Sequence, residues 1–179
     1  MRPLKSERYD FGRSLIDFHI IRKDLLTKLK ELDLSEFELA LENCSNSLEN
    51  ERKFGKIDGL YIKEDLIYCS SENLERCIII GDIHGDLDSL CEILRRINLD
   101  RIKKEKAVIV FLGDYGDRGD KSVEVYYLLC ELKLEMKNKI VLLRGNHEGT
   151  DDLLAQPHDL PLNFIEKFGQ EGYFTYLKV

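Results

Sequence analysis

The chain has 179 residues, 43% hydrophobic and 34% charged, with a formal net charge of −7. That size and balance suit one soluble globular domain with a small helical appendage, and 3 Pro and 12 Gly leave little room for disordered linkers. The acidic charge, with no Lys/Arg stripe to offset it, argues against a nucleic-acid partner, and no apolar run approaches the roughly 18 residues of a membrane span.

In chain order, Ser14 to about Leu32 reads as an amphipathic helix, with Leu15, Phe18, Leu25, Leu26 and Leu29 near helical period. A second helix is expected from Ser35, where Ser35 and Glu38 have capping-box spacing. Leu39, Cys44 and Leu48 would be its inner stripe, and its polar end, Asn46 to Lys53, would fray. Leu60–Ile62 and Leu66–Tyr68 read as a short hairpin. We divide the chain into a helical segment, 1–55, and a second part, 56–179, that carries the elements described next.

From Arg76 the pattern changes. Cys77–Ile80 reads as a strand buried on both faces, Asp86–Ile97 as a helix with Leu87, Leu90, Ile93 and Leu94 inward, and Ala107–Leu112 as a second buried strand. The basic run Arg101–Lys106 reads as a solvated loop. Ser122–Met136 reads as a helix capped by Asp120, Ile140–Leu143 as a third strand, Pro161–Gly169 as a helix and Tyr173–Leu177 as a strand. The order βαβαβ implies an α/β fold with a parallel sheet. Among the five cysteines, Cys77, Cys91 and Cys130 sit among apolar residues and read as buried thiols. With no C-x-x-C pair and no apolar signal-peptide core, a reducing, cytoplasmic location is expected.

Each apolar strand runs into a polar, glycine-flanked loop: Gly81-Asp82-Ile83-His84-Gly85, Gly113-Asp114-Tyr115-Gly116-Asp117-Arg118-Gly119 and Arg144-Gly145-Asn146-His147-Glu148. Ligands of open α/β sheets bind at the carboxyl ends of strands, so the three loops share one edge. Asp82, Asp114 and Asn146 are 32 positions apart in turn, one strand-helix-strand step each. Crowding Asp82, His84, Asp114, Asp117, Asn146 and His147 there is costly unless a cation neutralises the carboxylates. Mixed oxygen and nitrogen donors favour Mn, Fe or Zn, and Asp114 on the middle loop can bridge two ions.

In that order, GDIHG, GDYGDRG and RGNHE resemble the three signature motifs of the phosphoprotein phosphatases, within the calcineurin-like metallophosphoesterases. The resemblance implies a metallophosphoesterase sandwich holding two divalent ions, manganese first among the candidates. It implies Asp82 and His84 on the first ion with the bridging Asp114, and Asn146 on the second. Arg118 would grip phosphate oxygens, His147 would protonate the leaving alkoxide, and Asp117 would orient its imidazole. The reaction implied is attack of a metal-bridging hydroxide on phosphoserine or phosphothreonine of a protein substrate.

Two features depart from the resemblance. Gly116 stands where the family has a small branched residue, which should loosen the loop. The family also takes further second-metal histidines from a half that follows the third strand. Here His19 and His158 are the two remaining histidines: His158 reads as a loop residue near the rim, ahead of a surrogate ligand, and His19 as a bland residue of the first helix. The second site and the sandwich are therefore expected to be incomplete, with the apolar back of the first sheet partly exposed. A catalytically incomplete metal- or partner-binding piece, or an esterase of nucleotides or small phosphates, stays open as an alternative. Asp151 and Asp152 read as solvated, Asp86 and Asp88 as helix-opening acids, and Tyr115 as either structural or substrate-stacking.

Overall fold

The computed structural model describes residues 28–29, 31–57, 59–64, 66–69, 72–149 and 155–179. The expectations for Leu15, Phe18, His19, Leu25, Leu26, Asp151 and Asp152 lie outside those residues.

Helix α1 runs Leu34–Phe54. Its cap is Asp33, not Ser35: the Asp33 carboxylate accepts from the Glu36 amide, and the Ser35 hydroxyl donates to the same carboxylate. The helix continues through its polar end to Phe54, where Gly55 closes it at φ 64°, a left-handed conformation that glycine adopts without strain. The buried stripe is Phe37, Ala40 and Cys44, whereas Leu39 faces solvent. Glu38, read as a capping partner, instead accepts from Thr175 and Lys178 at the other end of the chain.

Strands β1 (Lys56–Ile57), β2 (Leu60–Lys63) and β3 (Leu66–Cys69) form a small antiparallel sheet, and the expected hairpin is its β2–β3 half. Strands β4 (Arg76–Ile80), β5 (Ala107–Phe111) and β6 (Ile140–Leu142) form a parallel sheet in the order β4-β5-β6. Helices α2 (Leu87–Ile97) and α3 (Leu99–Lys104) connect β4 to β5, and α4 (Ser122–Met136) connects β5 to β6. The α4 bounds agree with the apolar periodicity, but its start carries no side-chain cap, so Asp120 does not serve as one. The basic run read as a loop is largely α3, whose Ile102 is fully buried while its Lys and Arg residues face outward.

Period-two alternation sorts the central strand. Ile109 and Phe111 of β5 face the main core with α2 and α4, and Val108 packs with Leu60 and Val141 under the small sheet. Edge strand β4 is not buried on both faces: Cys77 is exposed and Ile79 is 64% exposed. Ile79, Leu112 and Leu143 thus expose part of the apolar sheet, as expected.

After β6 come α5 (Leu160–Phe168) and α6 (Gln170–Tyr176). The expected strand at Tyr173–Leu177 is helical instead. Thr175 is buried against Glu38 of α1, and Phe164 of α5 meets Phe37 edge-on at 5.2 Å, so tertiary contact overrides the aromatic and β-branched bias of that segment. Helix α1 therefore shares one apolar cluster with α4 and α5.

Candidate metal centre

The loops after β4, β5 and β6 are stitched together by their backbones. The amides of Ile83 and His84 both donate to the Asp114 carbonyl, and the Gly85 amide to that of Tyr115. His84, Asp114, Asp117 and Arg118 all take positive φ, between 48° and 68°. Four non-glycine residues in this sparsely populated region mark a stretch of backbone held against its preference, as functional sites often are. Gly145 lets the third loop close on the second, because a Cβ there would collide with Asp114 Oδ1.

Glu148 is the clasp. Its carboxylate accepts from the amides of Asp114 (2.8 Å), Tyr115 (2.8 Å) and Gly145 (3.0 Å) and from the Tyr126 hydroxyl (3.0 Å). Burial, then the Glu148 charge, pushes the Tyr115 and Tyr126 phenols upward, so both stay protonated donors. Tyr115 is structural: its hydroxyl donates to the Leu143 carbonyl at 2.5 Å and its ring packs on Tyr126. The third motif contains Glu148, but only the fold reveals which donors it gathers.

His84 Nδ1 lies 3.0 Å from the Gly116 carbonyl. A carbonyl only accepts, so Nδ1 is the donor there, and in the neutral imidazole the lone pair is left on Nε2. That Nε2 is buried and has no hydrogen-bond partner. Around it stand Asp82 Oδ2 at 3.9 Å and Asp114 Oδ2 at 4.0 Å. An imidazole lone pair withheld from water and flanked by two carboxylates is a donor set that fits a divalent transition metal. His84, Asp114 and His147 place one donor atom each within 4.8 Å of one another. Asp82 stands at the open side, with its side chain 67% exposed. Asn146 is exposed on the third loop beside buried His147.

Asp117 is 1% exposed and saturated. Oδ2 accepts from His147 Nδ1 at 2.8 Å and from His158 Nδ1 at 2.9 Å, and Oδ1 accepts from the amides of Asp159 and Leu160. Burial pushes its carboxyl upward, but the hydrogen bonds from His147, His158 and Leu160 outweigh that, and the net shift is downward. His147 thus bears its proton on Nδ1, and its Nε2 accepts from the Arg118 guanidinium at 3.1 Å. The Arg118 amide donates to Asp159.

His158 is neither a rim residue nor a metal ligand in this arrangement. Its Nδ1 serves Asp117 and its Nε2 accepts from the Tyr176 hydroxyl at 2.8 Å, which ties α6 to the site. Nothing local in the sequence gives this away, since both partners are distant along the chain. Gly116 is also not simply a loosened position: a Cβ there would stand 3.0 Å from Leu160 Cδ1 and 3.0 Å from Tyr126 Cε2, side chains that already fill the space.

Residues 75–178 match the calcineurin-like phosphoesterase family. A Schizosaccharomyces pombe protein, provisionally named a serine/threonine-protein phosphatase, is 38% identical over 98 residues, which is 55% of this chain and 30% of that one. Serine/threonine-protein phosphatase 7 of Arabidopsis thaliana is 27% identical over 147 residues, 82% of this chain and 32% of its own. The match therefore spans about a third of the length of these curated relatives. Among solved structures, a protein serine/threonine phosphatase from Saccharomyces cerevisiae, described as similar to human phosphatase PP5, has the same fold. It aligns with a TM-score of 0.52 at 17% identity, over 87% of this chain and 47% of that one.

Proposed function

The chain belongs to the calcineurin-like phosphoesterase family, and on that premise we propose that it acts in metal-dependent hydrolysis of phosphoserine and phosphothreonine in protein substrates. The observation that carries this reading is the unpartnered, buried His84 Nε2 between two carboxylates, one loop away from the His147–Asp117 pair. The names of the two curated relatives support the choice of protein substrates.

Asp82, His84 and Asp114 would hold a first divalent ion, and Asn146 with Asp114 a second; manganese suits this donor set, as do iron and zinc. Bound ions would supply charge neutralisation and a water acidified toward neutral pH. The chain's own residues do the rest. Arg118 exchanges His147 for the phosphate oxygens, which its planar fork fits. His147, freed of Arg118, takes a proton on Nε2 and delivers it to the leaving seryl or threonyl alkoxide. Asp117 keeps Nδ1 protonated and stabilises the imidazolium, and its four donors hold it ionised while it does so.

The test is turnover of a phosphoserine peptide, with a dinucleotide polyphosphate as competitor substrate, by manganese-loaded protein. His147→Asn should lower kcat by about 10²–10⁴, the usual contribution of a general acid. Asp114→Asn should abolish retention of the metal. Faster turnover of the dinucleotide than of the peptide, or an unaltered rate in His147→Asn, would remove the proposal.

A second reading has its own observation. Among the described residues one cluster of His and carboxylate donors is present, and His158 is committed to Asp117 and Tyr176. This chain by itself would then retain one ion and not turn over substrate. Equilibrium dialysis decides: two ions with turnover favour the first reading, and one ion without turnover the second.

A further inference from the structure

Three of the four hydrogen bonds to the Asp117 carboxylate come from one stretch of chain. His158 Nδ1 donates to Oδ2 at 2.9 Å, and the amides of Asp159 and Leu160 donate to Oδ1 at 2.9 and 2.7 Å. The Asp159 carboxylate accepts in return from the Arg118 amide at 2.9 Å. Residues 158–160 therefore grip Asp117 by its side chain and Arg118 by its backbone. The fourth donor, His147 Nδ1 at 2.8 Å, belongs to the ring that the proposed reaction uses.

The two oxygens are held differently. Oδ1 is fixed by backbone amides, and Oδ2 by two imidazoles. Each oxygen of a carboxylate offers about two lone-pair directions. His158 fills one of those on Oδ2, which leaves His147 a single direction of approach. Were His147 alone there, the second direction would stand open to its ring. His158 is itself fixed from its far side. Its Nε2 lies 2.8 Å from the Tyr176 hydroxyl, the two rings are 5.7 Å apart, and its side chain is 12% exposed. Tyr176 stands on α6, which lies close on α5: a Cβ on Gly172 would collide with the Phe164 carbonyl. The neighbouring Thr175 is buried and donates to Glu38 of α1, and the Tyr176 ring is 6.3 Å from that of Phe164. The support behind His147 is thus carried on packed helices.

We propose that His158 is a positioning residue for the reaction proposed above, on which this inference rests: it confines the His147 ring to one orientation on Asp117, with Nε2 toward Arg118, and Tyr176 holds it in that role. A proton-transfer group oriented by a third side chain is a recurrent arrangement. Here a second imidazole orients the carboxylate that does the orienting. Displacing a reacting group by about 1 Å can cost about 10² in rate, so a residue that removes one direction of swing acts on kcat. His158 acts through Asp117, not on the substrate.

The test has two readouts. In turnover of a phosphoserine peptide by the manganese-loaded chain, His158→Leu should lower kcat about tenfold, the rate change for one lost hydrogen bond to a charged group, and leave KM unaltered. His158→Asn, whose amide nitrogen replaces Nδ1, should restore most of that loss. Tyr176→Phe keeps the ring beside Phe164, drops only the hydroxyl, and should fall between wild type and His158→Leu. In proton NMR of the metal-free chain, the His147 Nδ1 proton, bonded to a buried carboxylate, should give a downfield signal that shifts in His158→Leu and in Tyr176→Phe. A purely structural role predicts lower thermal stability with kcat per folded molecule and the ring signal unchanged, and that result would overturn the assignment. Equal loss of kcat in His158→Leu and His158→Asn would overturn it too. A wild-type chain without turnover would sink the phosphatase reading alone, and the ring signal would still decide for or against His158.

Discussion

Two fully buried charged groups flank helix α4, and they are built differently. Lys133, near its carboxyl end, is 0% exposed, and Asp117, on the loop before it, is 1% exposed. Lys133 Nζ donates to both oxygens of Glu51 (2.6 and 2.8 Å) and to the carbonyls of Ile140 (2.8 Å) and Lys137 (3.2 Å). That network closes on itself, pinning α1 to the end of α4 and the start of β6, and it leaves no donor for a ligand. The Asp117 network has an open end: it runs through His147 to Arg118, which is exposed at the mouth of the site. A closed buried network fixes the position of elements. An open one leaves its last member, here the Arg118 guanidinium on His147, in reach of solvent.

The largest expected effect breaks the closed network. Glu51→Gln leaves a buried ammonium without its countercharge and should cost about 3–5 kcal/mol in urea unfolding at neutral pH. The double variant Glu51→Leu/Lys133→Met removes both charges and should recover most of that loss, because a well-packed apolar pair is often no worse than an ion pair. Metal affinity in the folded Glu51→Gln protein should be unaltered. A change there would mean that the two networks communicate through α4.

Asp117→Asn attacks the open network and should cost less stability, about 1–3 kcal/mol at pH 7, as the charged acceptor of four donors is lost. The pH dependence has a definite sign. The folded-state pKa of Asp117 is lowered, so its stabilisation is fully present above the ordinary carboxylate range near ~4 and is lost as pH falls through the lowered folded value. The stability gap between wild type and Asp117→Asn should therefore be constant from pH 7 to about 5 and narrow below ~4. A gap that widened in acid would mean the carboxyl is held up by burial rather than down by its donors.

Much of this contrast could be read before the fold was in view, and the parts that could not share a cause. The open network sits on three loops where an apolar strand passes into a Gly-flanked polar tip, a local pattern that the sequence carries on its face. The βαβαβ order and the bounds of α4 follow from the same local periodicity. Lys133 lies in register with the apolar stripe of α4 through Leu129, but its countercharge is on α1. His158 looks like a loop residue until Asp117 and Tyr176 are brought to either side of it. Asp33 and Ser35 are both competent caps, and the choice between them is made by the exact entry of the chain. Cys77 and Ile79 read as core because apolar runs do not reveal which strand lies at an edge. Apart from the cap, whose partners are local, the missing information is where a residue stands relative to elements remote in sequence.

The smallest expected effect tests whether packing or chain entropy rules the loop that carries the open network. By entropy alone, replacing Gly116 with alanine restricts the unfolded chain and stabilises a protein by about 0.4–1 kcal/mol where the conformation allows it. Gly116 does not have a positive φ, so the backbone raises no objection. The objection is steric: the new Cβ would press on Leu160 and on the Tyr126 ring, and Tyr126 is pinned through its hydroxyl to Glu148. Overpacking of this kind costs about 1–3 kcal/mol, which exceeds the entropic gain, so Gly116→Ala should destabilise by about 1 kcal/mol. Trimming the neighbour restores the room, so Leu160→Val should be less harmful in the Gly116→Ala background than in the wild type. Thermal unfolding of the four proteins in that cycle measures the coupling. A stabilised Gly116→Ala single variant, with no coupling to Leu160→Val, would show that the loop presenting Asp117 and Arg118 yields more readily than the packing around Gly116 implies.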